Sequence, residues 1–525
     1  MNSAELFPET LANRIDKALA EAQAANIQQR ILAKDASVWT TDDSVAKQIA
    51  NSLGWLNVAG EMSGVVDELR EFAEEVRHKF KHVMVCGMGG SSLCPEMLAQ
   101  TFGHQAGFPE LLVLDSTDPD VIASFVERID AEKCLFVIAS KSGTTTEPNV
   151  FFKFWYDRVK SGDNFVAITD PGTPLVDTAR EHGFKRVFLN QADIGGRYSA
   201  LSYFGMVPAA LMGLEIGKLL DFEPNYEEAL KLGVAIGECA NAGRDKLTFV
   251  IDPQLETLGL WIEQLIAEST GKQGKGIVPV VGETLGDPAV YGDDRVFVSI
   301  SLPYSNRSLD GFANVGHPVI QRTVTSLYDL GAEFFTWEFA TACAGWRLGI
   351  NPFDQPNVQE AKDATKELLA EFTKNGRLPD TTPETSLTDA VKSQLSSVKP
   401  GDYIAFLNYT EETPELDQKL QDLRTYLRDT THCATTIGYG PRFLHSTGQL
   451  HKGGPDSGVF FQLGAKDGID FPVPGEAYSF GVLKEAQALG DFRALKARGR
   501  RVGRIDLGDA ILAGLDRLEQ VIKSS

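Results

Sequence analysis

The chain has 525 residues, 43% apolar and 23% charged, with a net charge of −22. That length exceeds what a single hydrophobic core serves, so several domains are expected, and the composition excludes a disordered or collagen-like chain. The charge argues against nucleic acid, whose phosphates need a basic footprint, and against an anionic membrane surface. No run of about eighteen apolar residues is present to span a bilayer. The start, Met1-Asn2-Ser3-Ala4-Glu5, lacks a basic-then-apolar leader, and the six cysteines show neither C-x-x-C nor zinc-finger spacing. A cytosolic protein with reduced, buried thiols is expected.

Residues 9–32 place Leu11, Ile15, Leu19, Ala22, Ile27 and Ile31 at roughly helical intervals, and 1–80 reads as a helical N-terminal segment. From residue 83 short apolar runs alternate with helical stretches: 83–86, 111–114, 135–139, 165–168 and 186–189. A second cycle has runs at 247–251, 277–280, 296–300 and 319–320. Fully apolar strands separated by helices predict parallel sheets covered on both faces. The expected fold class is therefore α/β, with two doubly wound domains at 81–235 and 236–370, divided in a polar helical stretch near 220–245. A mixed α+β region is expected over 371–525, entered through a loop at 374–383.

The run ending at Cys86 leads into Gly87-Met88-Gly89-Gly90-Ser91-Ser92, a glycine turn whose backbone N–H groups suit an anion. A dinucleotide is one reading, since G-x-G-x-x-S approaches the Rossmann fingerprint and Asp115 ends the next strand; a phosphosugar and a purely structural turn are the others. The run ending at Ala139 leads into Ser140-Lys141-Ser142-Gly143-Thr144-Thr145-Thr146-Glu147. Five hydroxyls, one cation and a glycine at a strand's C-terminal end suit a phosphate monoester. Thr144 and Glu147 have capping-box spacing, which predicts a helix start there.

This segment resembles the signature of sugar-isomerase (SIS) domains, and of glucose-6-phosphate isomerases in particular; Gly89-Gly90-Ser91 matches the family's G-I-G-G-S segment. The resemblance implies that Ser140, Ser142, Thr144 and Thr145 hold the phosphate, with Gly90 and Ser91 lining the sugar pocket; Lys141 is counted among the substrate-binding residues. Gly195-Gly196-Arg197-Tyr198-Ser199 resembles the family's G-G-R-[FY]-S, so Gly196 would contact the sugar and Arg197 would stabilise an enediolate. In the predicted helix around 261–270, Leu258, Trp261, Leu265 and Glu268 share one face. Glu268 lies in a Glu-Ser-x-Gly-Lys segment similar to that of the family's catalytic glutamate. Asn351-Pro352-Phe353-Asp354-Gln355 resembles N-x-F-D-Q, which assigns Gln355 to the sugar and Lys362 to its ring or C1 oxygen.

The family's ring-opening histidine precedes that segment, within a G-Q-H stretch. Here Thr447-Gly448-Gln449-Leu450-His451 follows it, which favours His451, then His445, then His317. The C-terminal region is similar to the isomerase half of transaldolase–phosphoglucose isomerase fusions. Residues 1–80 leave no room for the transaldolase barrel, so transaldolase activity is not expected. The resemblance implies interconversion of glucose 6-phosphate and fructose 6-phosphate without metal or cofactor, by a homodimer whose histidine comes from the neighbouring subunit. A phosphosugar-binding regulator and an NAD-dependent oxidoreductase are the rival readings, and mannose 6-phosphate stays open as a second substrate.

Overall fold

The structure is a computed structural model that describes residues 2–305, 308–379 and 386–525. The expected N-terminal helices are present between Glu9 and Arg77. They are preceded by a strand, β1 (Asn2–Leu6), which the helical reading of 1–80 missed. Its register is set by β10 (Val319–Thr323), a partner too distant in sequence for any local pattern to announce.

The first α/β unit holds β2 (His82–Cys86), β3 (Glu110–Leu114), β4 (Cys134–Ala139), β5 (Phe165–Thr169) and β6 (Arg186–Leu189). They form one parallel sheet in the order β3-β2-β4-β5-β6. The order reverses between β2 and β4. At such a switch point the flanking connections leave on opposite faces and open a crevice at the strands' C-terminal ends. The glycine turn follows β2 and the hydroxyl loop follows β4, so both expected binding segments meet there.

The second unit holds β7 (Lys246–Ile251), β8 (Val278–Val280), β9 (Arg295–Ser301) and β10, ordered β1-β10-β9-β7-β8. Only β1 runs antiparallel. The stretch near 220–245, expected as the boundary, is packed into the fold. The helix Tyr226–Asn241 is largely buried, and a Cβ on Gly233 would stand 2.2 Å from the Ala340 carbonyl of the helix Leu330–Leu348. One hydrophobic cluster runs from Leu11 to Phe353 and serves both units.

The C-terminal region departs from the mixed α+β expectation. Its strands β11 (Tyr403–Tyr409), β12 (Ala434–Tyr439), β13 (Gly458–Gly464) and β14 (Arg501–Asp506) are all parallel, in the order β12-β11-β13-β14. It is a third α/β unit, not a mixed extension. Part of the expected loop, Asp380 to Pro383, lies outside the described residues. All six cysteines are free and buried, as expected. Among the described residues no helix is long and apolar enough to cross a membrane.

Candidate active site

The hydroxyl loop does not use its side chains as a capping box. The helix Thr146–Val159 is capped at Thr145 without a side-chain hydrogen bond. Ser140 Oγ donates to Thr145 Oγ1 at 3.1 Å, and Ser142 Oγ lies 2.9 Å from Thr144 Oγ1. Ser142 and Thr144 stay exposed at the helix start, where the helix dipole favours an anion. Glu147, expected as the capping partner, is buried instead and accepts from Gln487 Nε2 at 2.6 Å and His445 Nε2 at 3.2 Å. Burial alone would raise its carboxyl, but the charge and hydrogen bond of His445 outweigh burial and hold it below its ordinary value.

Ser142, Thr144, Thr145, Lys362, His445 and Gln487 are among the residues lining a cavity of about 120 Å³. Lys141 does not join them: its ammonium pairs with Asp170 and donates to the Ala192 carbonyl at 3.0 Å. The positive charge beside the hydroxyls comes instead from Lys362 and Lys366, on the helix Val358–Asn375.

The glycine turn is covered by protein. A Cβ on Gly90 would stand 2.0 Å from the Gly196 carbonyl, and one on Gly89 would stand 2.7 Å from both Gln264 Nε2 and the His445 carbonyl. Asp115, the acid a ribose would need, binds Arg442 through both oxygens at 2.9 Å. With its glycines packed against protein and Asp115 committed to Arg442, the turn is not arranged for a dinucleotide. Ser91 is nearly buried.

Arg197 is 3% exposed. Its guanidinium donates to Ser269 Oγ (2.7 Å), the Pro352 carbonyl (2.7 Å), the Asp354 carbonyl (3.1 Å) and Gln355 Oε1 (3.1 Å). A further neighbour is Glu268 Oε1 at 3.4 Å. Glu268 sits on the helix Leu258–Thr270, which is buried on nearly all sides, and is 8% exposed. Its second oxygen accepts from Gln264 Nε2 at 3.2 Å. A carboxylate and a guanidinium are thus held side by side, each by neighbours that fix its rotamer. On the same helix Glu263 is pushed up to about 8 by burial, but it faces Arg424 and Arg442, outside this cluster.

Three residues beyond the expected set hold this arrangement. Gln449 Nε2 donates to the Gly271 carbonyl at 2.9 Å and to Asn357 Oδ1 at 2.8 Å, while its Oε1 accepts from the Asn357 backbone N–H at 2.8 Å. Gln487 fixes Glu147, and nothing in its own helix marks it. Lys272 has a side chain 1% exposed and donates to the Asp354 carbonyl and, at 2.7 Å, to Asp354 Oδ1. Burial first, and the charge of Arg197 second, push its ammonium from 10.5 to about 8.

The histidine order is overturned. His451 is 3% exposed and packs on Phe460 at 5.0 Å between ring centres, away from the cavity. Its Nδ1 has no partner among the described residues, and burial holds the ring well below 6.5. His317 lies in the second unit against Phe297 and the Pro288 carbonyl. Of the three, only His445 lines the cavity. Among the described residues one carboxylate trio, Asp118, Asp120 and Asp467, comes within reach of a shared ion, but the Lys484 ammonium bridges Asp118 and Asp467 there.

Comparison with known proteins points the same way. The family Phosphoglucose isomerase matches residues 28–223. A glucose-6-phosphate isomerase of Shouchella clausii is 26% identical over 390 residues, covering 60% of this chain and 86% of that one. A probable glucose-6-phosphate isomerase of Methanococcus maripaludis is 28% identical over 380 residues, covering 62% and 85%. Among solved structures, a hypothetical protein from Thermus thermophilus has a TM-score of 0.57 at 23% identity, covering 70% of this chain and 100% of that one. A glucose-6-phosphate isomerase from Chlamydia trachomatis has a TM-score of 0.50 at 20% identity, covering 69% and 86%, and shares the fold. Largely parallel sheets with a hydroxyl loop at the first one's switch point fit the α/β architecture expected from the sequence. The chain is similar to phosphoglucose isomerases over residues 28–223 and along most of the length of the glucose-6-phosphate isomerases it matches.

Proposed function

We propose that the protein interconverts glucose 6-phosphate and fructose 6-phosphate. The observation that carries this reading is the fixed pairing of Glu268 with Arg197, joined through Gln264 to the backbone of His445, a residue that lines the cavity of the exposed hydroxyls. In the proposed mechanism Ser140, Ser142, Thr144 and Thr145 hold the phosphate, and Gly90, Ser91, Gly196 and Gln355 border the sugar. His445, backed by Glu147 and assisted by Lys362, opens the pyranose ring. Glu268 takes the C2 proton of the open-chain aldose and returns it to C1, while a proton passes from O2 to O1. Arg197 offsets the charge on the intermediate's oxygens. No step calls for a metal or a redox cofactor. A regulator that only binds phosphosugars would have no use for a carboxylate braced by Arg197 and Gln264. Appearance of glucose 6-phosphate when the purified protein is given fructose 6-phosphate tests the proposal; no turnover would end it.

The phosphate contacts lie away from the reacting carbons, so their binding energy acts through positioning. Ser142→Ala combined with Thr145→Ala should raise KM at least about tenfold, each lost charge-assisted hydrogen bond being worth roughly 1.5–3 kcal/mol. Unchanged kinetics in the double variant would move the phosphate elsewhere.

Lys272 makes KM depend on pH. Its proton leaves as pH rises through about 8, and the Asp354–Gln355 turn then loses its cation. KM should climb between about pH 7.5 and 9.5. The sign for stability is opposite. With a folded value of about 8 against 10.5, the folded chain sheds this proton first, so from about 8 to 10.5 the group increasingly favours the folded state. Loss of folding therefore does not explain the rise, and a KM flat to about pH 9.5 would remove Lys272 from substrate positioning.

The reading extends to a cytoplasmic homodimer. Gln264 joins Glu268 to the backbone carbonyl of His445 in the same chain, which supports a site in each subunit of that dimer that uses its own histidine.

A further inference from the structure

Gln264 stands one helical turn before Glu268 and is 3% exposed. Its Nε2 has two hydrogens and two acceptors: Glu268 Oε2 at 3.2 Å and the His445 carbonyl at 2.7 Å. Neither a carboxylate nor a carbonyl has a hydrogen to give, which fixes the amide's orientation, because the reverse would set Oε1 against two oxygens. Oε1 is left buried and without a partner among the described residues. Buried amides ordinarily satisfy both ends. This one leaves its acceptor unmet while both donor hydrogens join site elements from different units of the fold.

The glycine turn makes room for the bridge. Gly89 has φ of 55°, and a Cβ there would stand 2.7 Å from Gln264 Nε2 and from the His445 carbonyl. Three segments therefore converge on one amide: the turn after β2, the helix bearing Glu268, and the stretch of the C-terminal unit bearing His445.

We propose that Gln264 is a positioning residue that sets the distance between the Glu268 carboxylate and the His445 segment. The inference rests on the isomerase reading. Ring opening and proton transfer must act on one bound sugar, and a misplacement of about 1 Å can cost on the order of 100-fold in rate.

Two variants test it, Gln264→Leu and Gln264→Glu. In the leucine variant kcat should fall about 10- to 100-fold with KM within about threefold, since the phosphate contacts are untouched. Backbone hydrogen exchange should rise over residues 440–454 and stay unchanged over 140–159. The glutamate variant keeps the shape, loses the donor and sets a second carboxyl beside Glu268. Its pH–rate profile should have an acid limb displaced to higher pH, because two close carboxyls cannot both ionise freely. A merely structural Gln264 would lower Tm and leave kcat of the folded leucine variant within about twofold of wild type. Turnover within about twofold of wild type in both variants, with unchanged exchange over 440–454, would overturn the proposal. Should the leucine variant fail to fold, the glutamate variant decides through the same readouts. Should the wild-type protein show no isomerase activity, the isomerase reading falls, and hydrogen exchange still decides whether Gln264 anchors the His445 segment.

Discussion

Glu268→Gln should lower isomerase turnover by about 10²–10⁴-fold, the usual contribution of a positioned acid–base group, while phosphosugar affinity changes little. The substitution removes a base and keeps the shape. Arg197, deprived of its charged neighbour, still donates to Ser269, Pro352, Asp354 and Gln355, so the guanidinium stays in place. Gln264 keeps its bond to the His445 carbonyl. Two measurements separate base from scaffold: the steady-state rate, and deuterium entry from D₂O into the C1 position of fructose 6-phosphate. Both should collapse together. A variant that keeps more than about a tenth of wild-type turnover would rule out Glu268 as the proton shuttle.

The first two sheets were legible because their central strands are apolar on both faces. Cys134 to Ala139 and Phe165 to Thr169 are buried throughout, a run that only a covered parallel sheet accommodates. The third sheet was not. Its outer strands read Ala-Thr-Thr-Ile-Gly-Tyr and Arg-Val-Gly-Arg-Ile-Asp, with polar residues that pair inside the molecule, such as Thr435 with Glu283. Strand β1 carried no signal because its partner lies at the far end of the second unit.

The site divides in the same way. The hydroxyls, Arg197, Glu268, Gln355 and Lys362 sit in segments whose local order suggested the roles proposed for them. Lys141 misled because a lysine inside a phosphate loop suggests a phosphate contact, whereas Asp170, at the end of the neighbouring strand, captures it. Gln264, Gln449 and Gln487 act across units, and an isolated amide on a helix has no pattern to betray it.

The histidine shows most clearly where local resemblance gives way to geometry, and it leads to the second large effect. Gln449 and His451 are two residues apart on the helix Gly448–Gly453, roughly 200° around its axis, so they face opposite ways. Gln449 takes the side toward Gly271 and Asn357, which sends His451 into the aromatic cluster of Tyr403, Phe443 and Phe460. His445→Ala should therefore slow turnover of the cyclic sugar phosphate by about 10²-fold or more, and far more than it slows C1 proton exchange in the open-chain sugar. His451→Ala should retain the chemistry and cost about 2–5 kcal/mol of stability, as other large-to-small core changes do. Because burial holds His451 below 6.5, the wild-type fold loses stability as pH falls below that value, and the alanine variant should lose that share of its acid sensitivity. A fully active His445→Ala would remove it from ring opening. Mixing Glu268→Gln chains with His445→Ala chains adds a spatial test. On the proposed reading both groups serve one chain's site, so subunit exchange should restore nothing, whereas recovery toward roughly a quarter of wild-type sites would mean that the histidine is delivered from a neighbouring subunit.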